Sequence, residues 1–440
     1  MSGSSSVVTP VRERTPAKAW MMLVLGVLAQ AAGTFLVSTP AYLIVLLHSP
    51  ASAGGQGMPL AQAGLLASAP TFGMVLTLVA WGALVDRRGE RGVIAGGLVL
   101  TAVFALASAL AADAAQGFVT LAILLMLGGA ASASTNSASG RIVVGWFPRS
   151  RRGLAMGIRQ MSQPLGVAAA ALVVPPLAAG IGIAAPLLVA AVTTGILAVA
   201  CWFGIRNPPR PSRLAGTGHD APARPANPYA RDSFLVRIHA LSVLLVVPQF
   251  TLSIFGLVWM TTQLGWNAAV AGGLIAAAQF IGALGRIAIG SLSDSVGSRV
   301  RVLRWVAAAG VVAMLALAGC GALHWQLAAG IVFVVATAVS VADNGLAFTS
   351  VAEAAGPAWS GKALGIQNTG QFVAASVVGP GIGALVTAVG FPFAFAVVAL
   401  TPLAALGLTP RRDRQAASED RRGGAATLAG RARSGLSTRP

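Results

Sequence analysis

The sequence predicts an all-α integral membrane protein, with twelve transmembrane helices in two pseudo-symmetric six-helix bundles. Three observations lead there. Hydrophobic residues make up 56% of the 440 and charged residues only 10%, more apolar surface than a water-soluble domain can cover. The apolar residues gather into roughly twelve runs, each close to the about 20 residues a helix needs to cross a bilayer. The third observation is an internal repeat. The stretch Gly82-Ala-Leu-Val-Asp86-Arg87-Arg88-Gly89-Glu90-Arg91 returns, weaker, as Gly290-Ser-Leu-Ser-Asp294-Ser-Val-Gly297-Ser-Arg299, 208 positions later.

Each copy is a compact charged turn between two apolar runs. Its first glycine allows close helix packing, the aspartate sits at a helix end, the second glycine turns the chain, and the arginines stay in water. The offset of 208 persists elsewhere. It pairs Pro40 with Pro248, Gly64 with Gly272, Phe72 with Phe280, Asn136 with Asn344, Gly153 with Gly361, Gly157 with Gly365 and Gln163 with Gln371. This is duplication of a six-helix unit. Six is even, so the copies share one orientation, and two parallel halves suggest alternating access at their interface.

The elements follow in order. Residues 1–18 are rich in Ser, Thr and Pro and read as a disordered tail. The first bundle is 19–204. Helix one runs from about Trp20 to Leu47 and is too long for a cleaved signal core, so it is read as retained. Helix two covers about Leu60 to Val85, helix three ends at Ala112, and helix four covers about Phe118 to Phe147. Helix five starts at Gly153 and helix six ends near Phe203. Residues 205–233, rich in Pro, Ala and Arg, read as a linker. The second bundle, 234–408, repeats the plan, with helix nine from Val302 to Gly321 and helix eleven beginning after Lys362. Residues 409–440 are Arg-rich and polar and read as a disordered tail.

A net charge of +18 invites a nucleic-acid reading. Its placement argues against one. Basic residues fill alternate loops and both tails, as in cytoplasmic loops of membrane proteins. This predicts a multi-pass protein of the cell membrane with both termini cytoplasmic, no nucleic-acid partner, and tails able to touch anionic lipid. Cys201 and Cys320 fall at opposite ends of their helices, too far apart to bridge. Trp146, Trp202, Trp266 and Trp325 lie near helix ends and suit an interfacial belt.

With these motifs in place, the sequence resembles the major facilitator superfamily over nearly all of residues 20–408. The first charged turn matches that family's signature loop between helices two and three. The second matches the loop between helices eight and nine, with Ser295 where a basic residue is common. Trp146-Phe147-Pro148, followed by Arg152-Gly153-Leu-Ala-Met-Gly157, is similar to the family's usual approach to helix five. The resemblance implies that helices one, four, seven and ten line a central cavity, helped by two, five, eight and eleven. It also implies a gating role for Gly82, Asp86, Arg87, Gly89, Arg91, Gly290, Asp294, Gly297 and Arg299. There the aspartates would steady one closed state against a helix start in the other half, helix eleven for Asp86 and helix five for Asp294. A carboxylate near a helix N-terminus is stabilised, so the physics agrees. Ser162-Gln163-Pro164-Leu165-Gly166 keeps one Pro and one Gly of the family's antiporter signature but not the full pattern.

Ionisable groups inside spans are costly and usually face a cavity or one another. Four stand out: Arg141, Arg159, Arg286 and Asp343. Arg159, Gln160 and Gln163 fall on one face of helix five, and Gln367, Asn368 and Gln371 repeat this on helix eleven. Gln279 and Arg286 share a face of helix eight. Amides donate and accept, while arginine grips a carboxylate with two hydrogen bonds. The candidate substrate contacts are Arg159, Gln160, Gln163, Arg286, Gln249, Gln30, Asn344, Gln367 and Gln371. The alternative is that the arginines belong to a gate, bonded to carbonyls or to Asp343. Arg141 lies near the loop, where snorkelling or packing on the charged turn suits it. Asp343 is read as a proton-coupling carboxylate or as a fixed ion-pair partner. Asn136 and Asn344 suit helix–helix hydrogen bonds. Pro40 and Pro248 suit kinks beside the cavity. His239 and His324 suit the membrane interface.

The expected function is therefore a secondary active transporter of a small organic anion, coupled to protons and working as a monomer. A proton-coupled drug exporter is the first alternative, although no carboxylate lies in the first-half spans. A transporter-like membrane sensor is the second. No catalytic constellation, metal site, cofactor motif or phosphate-binding loop is evident, so a gradient rather than an enzyme activity would drive transport.

Overall fold

The computed structural model describes residues 17–53, 55–113, 117–147, 152–207, 227–356 and 359–414. Most of the expected tails and linker, and Pro148 to Arg151, lie outside these residues, as does the side chain of Asp86. Every long element is helical, and among the described residues there is no strand. In lipid the backbone has no water to bond, so a helix that satisfies its own N–H and C=O groups is the natural solution for apolar runs of this length.

The helices in order are α1 Ala17–His48, α2 Leu60–Arg88, α3 Glu90–Asp113, α4 Phe118–Trp146, α5 Arg152–Gln160, α6 Ser162–Ile181 and α7 Ala184–Gly204. The second half supplies α8 Phe234–Thr262, α9 Ala268–Val296, α10 Arg299–Ala322, α11 Gln326–Ala355, α12 Ser360–Val398 and α13 Leu400–Leu408. α5 and α6 meet at Met161 and make the fifth span together.

Among the described residues eleven stretches are long and apolar enough to cross a membrane, and the last of them, Lys362–Leu408, is 47 residues long. At 1.5 Å per residue that is roughly 70 Å of helix, more than twice the about 30 Å of a hydrocarbon core. It resolves into two spans because α12 breaks at Gly390, whose φ of 76° lies in the left-handed region. The eleventh and twelfth spans are therefore 360–389 and 391–408, as the duplicated plan requires.

Two ends can be told apart. The turns after α2, α4, α7, α9, α11 and α13 carry most of the charge, and we refer to this as the charged end. At the opposite end one large core joins both halves. It packs Tyr42, Leu47, Leu66 and Val174 of the first half with Phe255, Trp259, Phe333 and Phe395 of the second. At the charged end the cores are separate. Met22, Ile94, Leu98, Ile142 and Cys201 make one, and Leu235, Ile238, Leu303, Leu346 and Val351 make the other. The largest core joins the halves at one end, and toward the charged end each half keeps a core of its own, with Phe372 of the second half still packed on Met74 and Ala133 of the first.

Tight contacts at the fused end repeat the sequence offset. A Cβ on Gly64 of α2 would lie 2.3 Å from the carbonyl oxygen of Gly379 on α12, and one on Gly272 of α9 would lie 2.3 Å from that of Ala171 on α6. Gly64 and Gly272 are 208 apart, and so are Ala171 and Gly379. The same contact is thus made twice with the halves exchanged. Helices in lipid gain little from apolar burial, so small residues that let backbones meet are what hold them together. Ser68 adds to the first contact, its Oγ accepting from the Gly379 amide at 3.2 Å. The outward faces, with Val79, Phe203 and Leu327 largely exposed, suit acyl chains.

Candidate functional site

Where the halves part, each contributes one polar cluster from the middle of its spans. In the first half, Ser139 on α4 donates to Gln30 Oε1 on α1 at 2.9 Å, and Gln30 Nε2 approaches Asn136 Oδ1 at 3.4 Å. Arg159 on α5 completes the cluster. Its Nε donates to Ser139 Oγ at 2.8 Å, and its Nη2 donates to the Asn136 backbone carbonyl at 2.9 Å and to Asn136 Oδ1 at 3.1 Å. Arg159 is partly buried in this nest, and Gln30 is fully buried. Gln160 stands exposed beside it and Gln163 is half-buried. The guanidinium therefore ties α1, α4 and α5 together.

The second half answers with amides. Asn344 Nδ2 on α11 donates to Gln249 Oε1 on α8 at 3.0 Å. Gln371 Nε2 on α12 donates to Asn344 Oδ1 at 2.9 Å and to Ser242 Oγ at 2.6 Å. Asn136 and Asn344, paired by the repeat, occupy the same place in the two clusters. Arg159 corresponds by the offset to Gln367, and here the symmetry ends. Gln367 is buried and turns to the ring of His239, away from the parting between the halves. Burial against His239, whose Nε2 lies 2.9 Å from the Tyr229 hydroxyl, separates Gln367 from the candidate contacts grouped with it by sequence. His239, expected at the interface, is the middle of this small chain.

Arg286 is placed differently from Arg159. Gly272, Gln279 and Arg286 follow at intervals of seven on α9, so they share a face, and Gly272 is the residue that packs on α6 of the other half. By that spacing Arg286 falls on the same side of α9 as Gly272, nearer the charged end. Its Nε donates to the Val341 carbonyl on α11 at 3.2 Å. Among the described residues that is its one hydrogen bond, which leaves its terminal N–H donors available. Asp343 attracts it across the α9–α11 contact. Asp343 itself is 1% exposed and points into the second half, not into the parting.

At the charged end Glu90, the second acid of the first signature turn, is buried and pairs with Arg141 Nε at 3.1 Å. In the second turn Asp294 pairs with Arg299 at 2.6 Å, and Arg299 reaches Glu353 at 3.4 Å. Each of these pairs lies within one half. Asp294 meets Arg299 of its own turn.

A duplicated bundle of long apolar helices, with a polar cluster inside each half, has the form of a membrane transporter. The sequence comparisons give the family. Residues 22–380 match the profile of the Major Facilitator Superfamily, and the chain belongs to that family. An uncharacterized MFS-type transporter of Mycobacterium tuberculosis is 43% identical over 393 residues, covering 89% of this chain and 85% of the relative. A probable anion transporter of Arabidopsis chloroplasts is 30% identical over 150 residues, covering 34% of this chain and 29% of that protein. Among solved structures, a bacterial homologue of the human lysosomal transporter Spinster, crystallised in an inward-facing, occupied conformation, superposes with a TM-score of 0.69. At 14% identity over 89% of this chain and 95% of that one, the likeness shows the shared fold.

Proposed function

We propose that the protein is a proton-coupled secondary transporter of a small organic anion of the carboxylate type. It sits in the cell membrane with both termini in the cytoplasm and acts as a monomer. The charged end is then the cytoplasmic end, and the conformation is inward-open. Residues 19–204 and 234–408 are the rocking units, joined by a cytoplasmic linker, 205–233, and flanked by tails. The signature turns, Gly82 to Arg91 and Gly290 to Arg299, close the cytoplasmic side when the halves come together.

The observation that carries this reading is Arg286: a guanidinium inside the span region, on the face turned to the other half, with donors to spare. A guanidinium can hold a carboxylate through two parallel hydrogen bonds, and the energy is larger away from water. The amides of Gln160, Gln163, Gln249, Asn344 and Gln371 are suited to fix the rest of the solute. Arg159 and Gln30 would act from the wall, and Asp343 would carry the coupled proton. The partial likeness to a plant protein named as a probable anion transporter supports an anionic substrate.

A thermal-shift series on purified protein tests it. A ligand at 100 times its Kd stabilises by about 2.7 kcal/mol. Monocarboxylates are expected to raise the melting temperature, lipophilic cations to leave it unchanged, and Arg286→Ala to remove the rise. Stabilisation by lipophilic cations alone would favour the drug-export alternative. Stabilisation without transport in proteoliposomes would favour the sensor.

A further inference from the structure

Asp343 is the one group of the site whose surroundings the transport reading leaves unexplained. Among the described residues neither carboxylate oxygen has a hydrogen-bond partner, although Asp343 is 1% exposed. The amides of its own turn stand near it without completing a bond. Buried polar groups are nearly always partnered, so an orphaned carboxylate marks a site where something else binds. The side chain borders a void of about 10 Å³ walled by Leu245 and Pro248 of α8, Gly310 and Met314 of α10, Ser340 of α11 and Pro402 of α13. That is room for about one water.

The void is not the substrate cavity. Consecutive residues on a helix point about 100° apart. Asn344 turns to Gln249 and Gln371 in the polar cluster, whereas Asp343 turns into the interior of the second half. The α11 backbone stands between them. Around the void α8, α10 and α13 present no titratable or charged side chain. Among the described residues the charge acting on Asp343 is that of Arg286, from α9. Too few oxygens line the space to strip and hold a metal cation, which needs six or so. A carboxylate beside a single water needs only a proton.

We propose that this void is a proton-binding pocket inside the second half, walled off from the substrate, and that Arg286 is the one residue both sites share. On protonation an O–H bond forms at a carboxylate oxygen of Asp343 and breaks on the hydronium, leaving neutral acid and water in the void. Arg286 then loses its internal counter-charge and turns its full attraction on an anion in the cavity. One proton and one negative charge bind as a neutral pair. The substrate half of this statement rests on the reading above, whereas the pocket does not.

Infrared difference spectroscopy on the full-length protein in nanodiscs, with pH steps and no substrate, reads the pocket directly. A protonated-carboxyl band is expected to titrate in the wild type, to vanish in Asp343→Asn, and to shift and change its titration in Gly310→Leu. A Cβ at Gly310 already meets Pro402 at 3.3 Å, so the larger side chain must enter the void. Ala313→Leu fills the same space from the next turn if the first variant does not fold. A band that survives in Asp343→Asn, or one indifferent to both filled variants, overturns the proposal. If the band behaves as expected while no anion stabilises the protein, the pocket stands and the anion reading falls.

Discussion

Arg159 and Arg286 look alike in the sequence, two guanidinium groups set in apolar runs near the ends of neighbouring spans. Their surroundings make them different instruments. Arg159 spends its donors on Ser139 and Asn136 and so holds α1, α4 and α5 in register. Removing it takes away these three hydrogen bonds and leaves Ser139 and Asn136 with Gln30 alone, and a hydrogen bond to a charged group contributes about 1.5–3 kcal/mol. Arg159→Ala is therefore expected to lower the melting temperature without ligand, and Ser139→Ala to do so by less. Arg286→Ala should abolish the anion response, and because it also removes the counter-charge of buried Asp343, its unliganded melting temperature is expected to fall where Asp343 is ionised, a loss that Asp343→Asn relieves. Arg286→Lys should recover only part of that response, because an ammonium cannot offer the planar fork. Which arginine was which could not be read from the sequence. Spacing gives a face, but the partner on that face comes from another helix. The same ambiguity hid Gln367, whose spacing matches Gln371 while its side chain turns to His239.

At the scale of elements, helix bounds were legible almost everywhere because apolar runs end at charges, Gly or Pro. The exceptions lie where polar segments fold back. Thr409 to Arg414, expected to begin a disordered tail, is instead packed on the second half. Asp413 Oδ1 accepts from the Val300 amide at 2.9 Å and its other oxygen meets Ser298, so it caps the start of α10 from outside the helix. Arg414 clamps Asp232 at 2.7 Å, and the Pro410 carbonyl accepts from Arg304 at 3.1 Å. The first half has the counterpart. Just past α7, Asn207 Oδ1 accepts from the Arg91 amide at 3.0 Å at the start of α3, beside Arg91 stacked on Trp202. Each half thus ends by capping its own signature turn. Losing such a cap costs about 1 kcal/mol. Truncation after Arg414 is expected to leave thermal stability unchanged, while truncation after Leu408 lowers it, with Asp413→Ala in between. A differential scanning fluorimetry series on the three variants measures this. Composition alone could not find these caps, since a short polar segment looks the same whether free or docked.

For the whole molecule the duplication was the most legible feature, and it also locates the hinge. The offset that pairs Gly64 with Gly272 and Ala171 with Gly379 returns in space as two equivalent backbone contacts at the fused end. Under the proposed alternating access these contacts open when the charged end closes, and they would then set the balance between the two states. A leucine at position 379 cannot be accommodated, because a Cβ there would lie 2.1 Å from the Gly64 carbonyl. Gly379→Leu should therefore wedge the fused end apart and drive the charged end shut. Thiol labelling reads this out, and both native cysteines are buried, which keeps the background low. A cysteine introduced as Gln160→Cys, exposed near the charged end, is expected to react readily with a maleimide in detergent solution and much more slowly when Gly379→Leu is added. Gly381→Leu, two residues away with open space around its Cβ, should leave the rate unchanged and so separates wedging from general destabilisation. Equal labelling in all three backgrounds would mean that the fused end is not the hinge, and that the split cores at the charged end are a fixed shape.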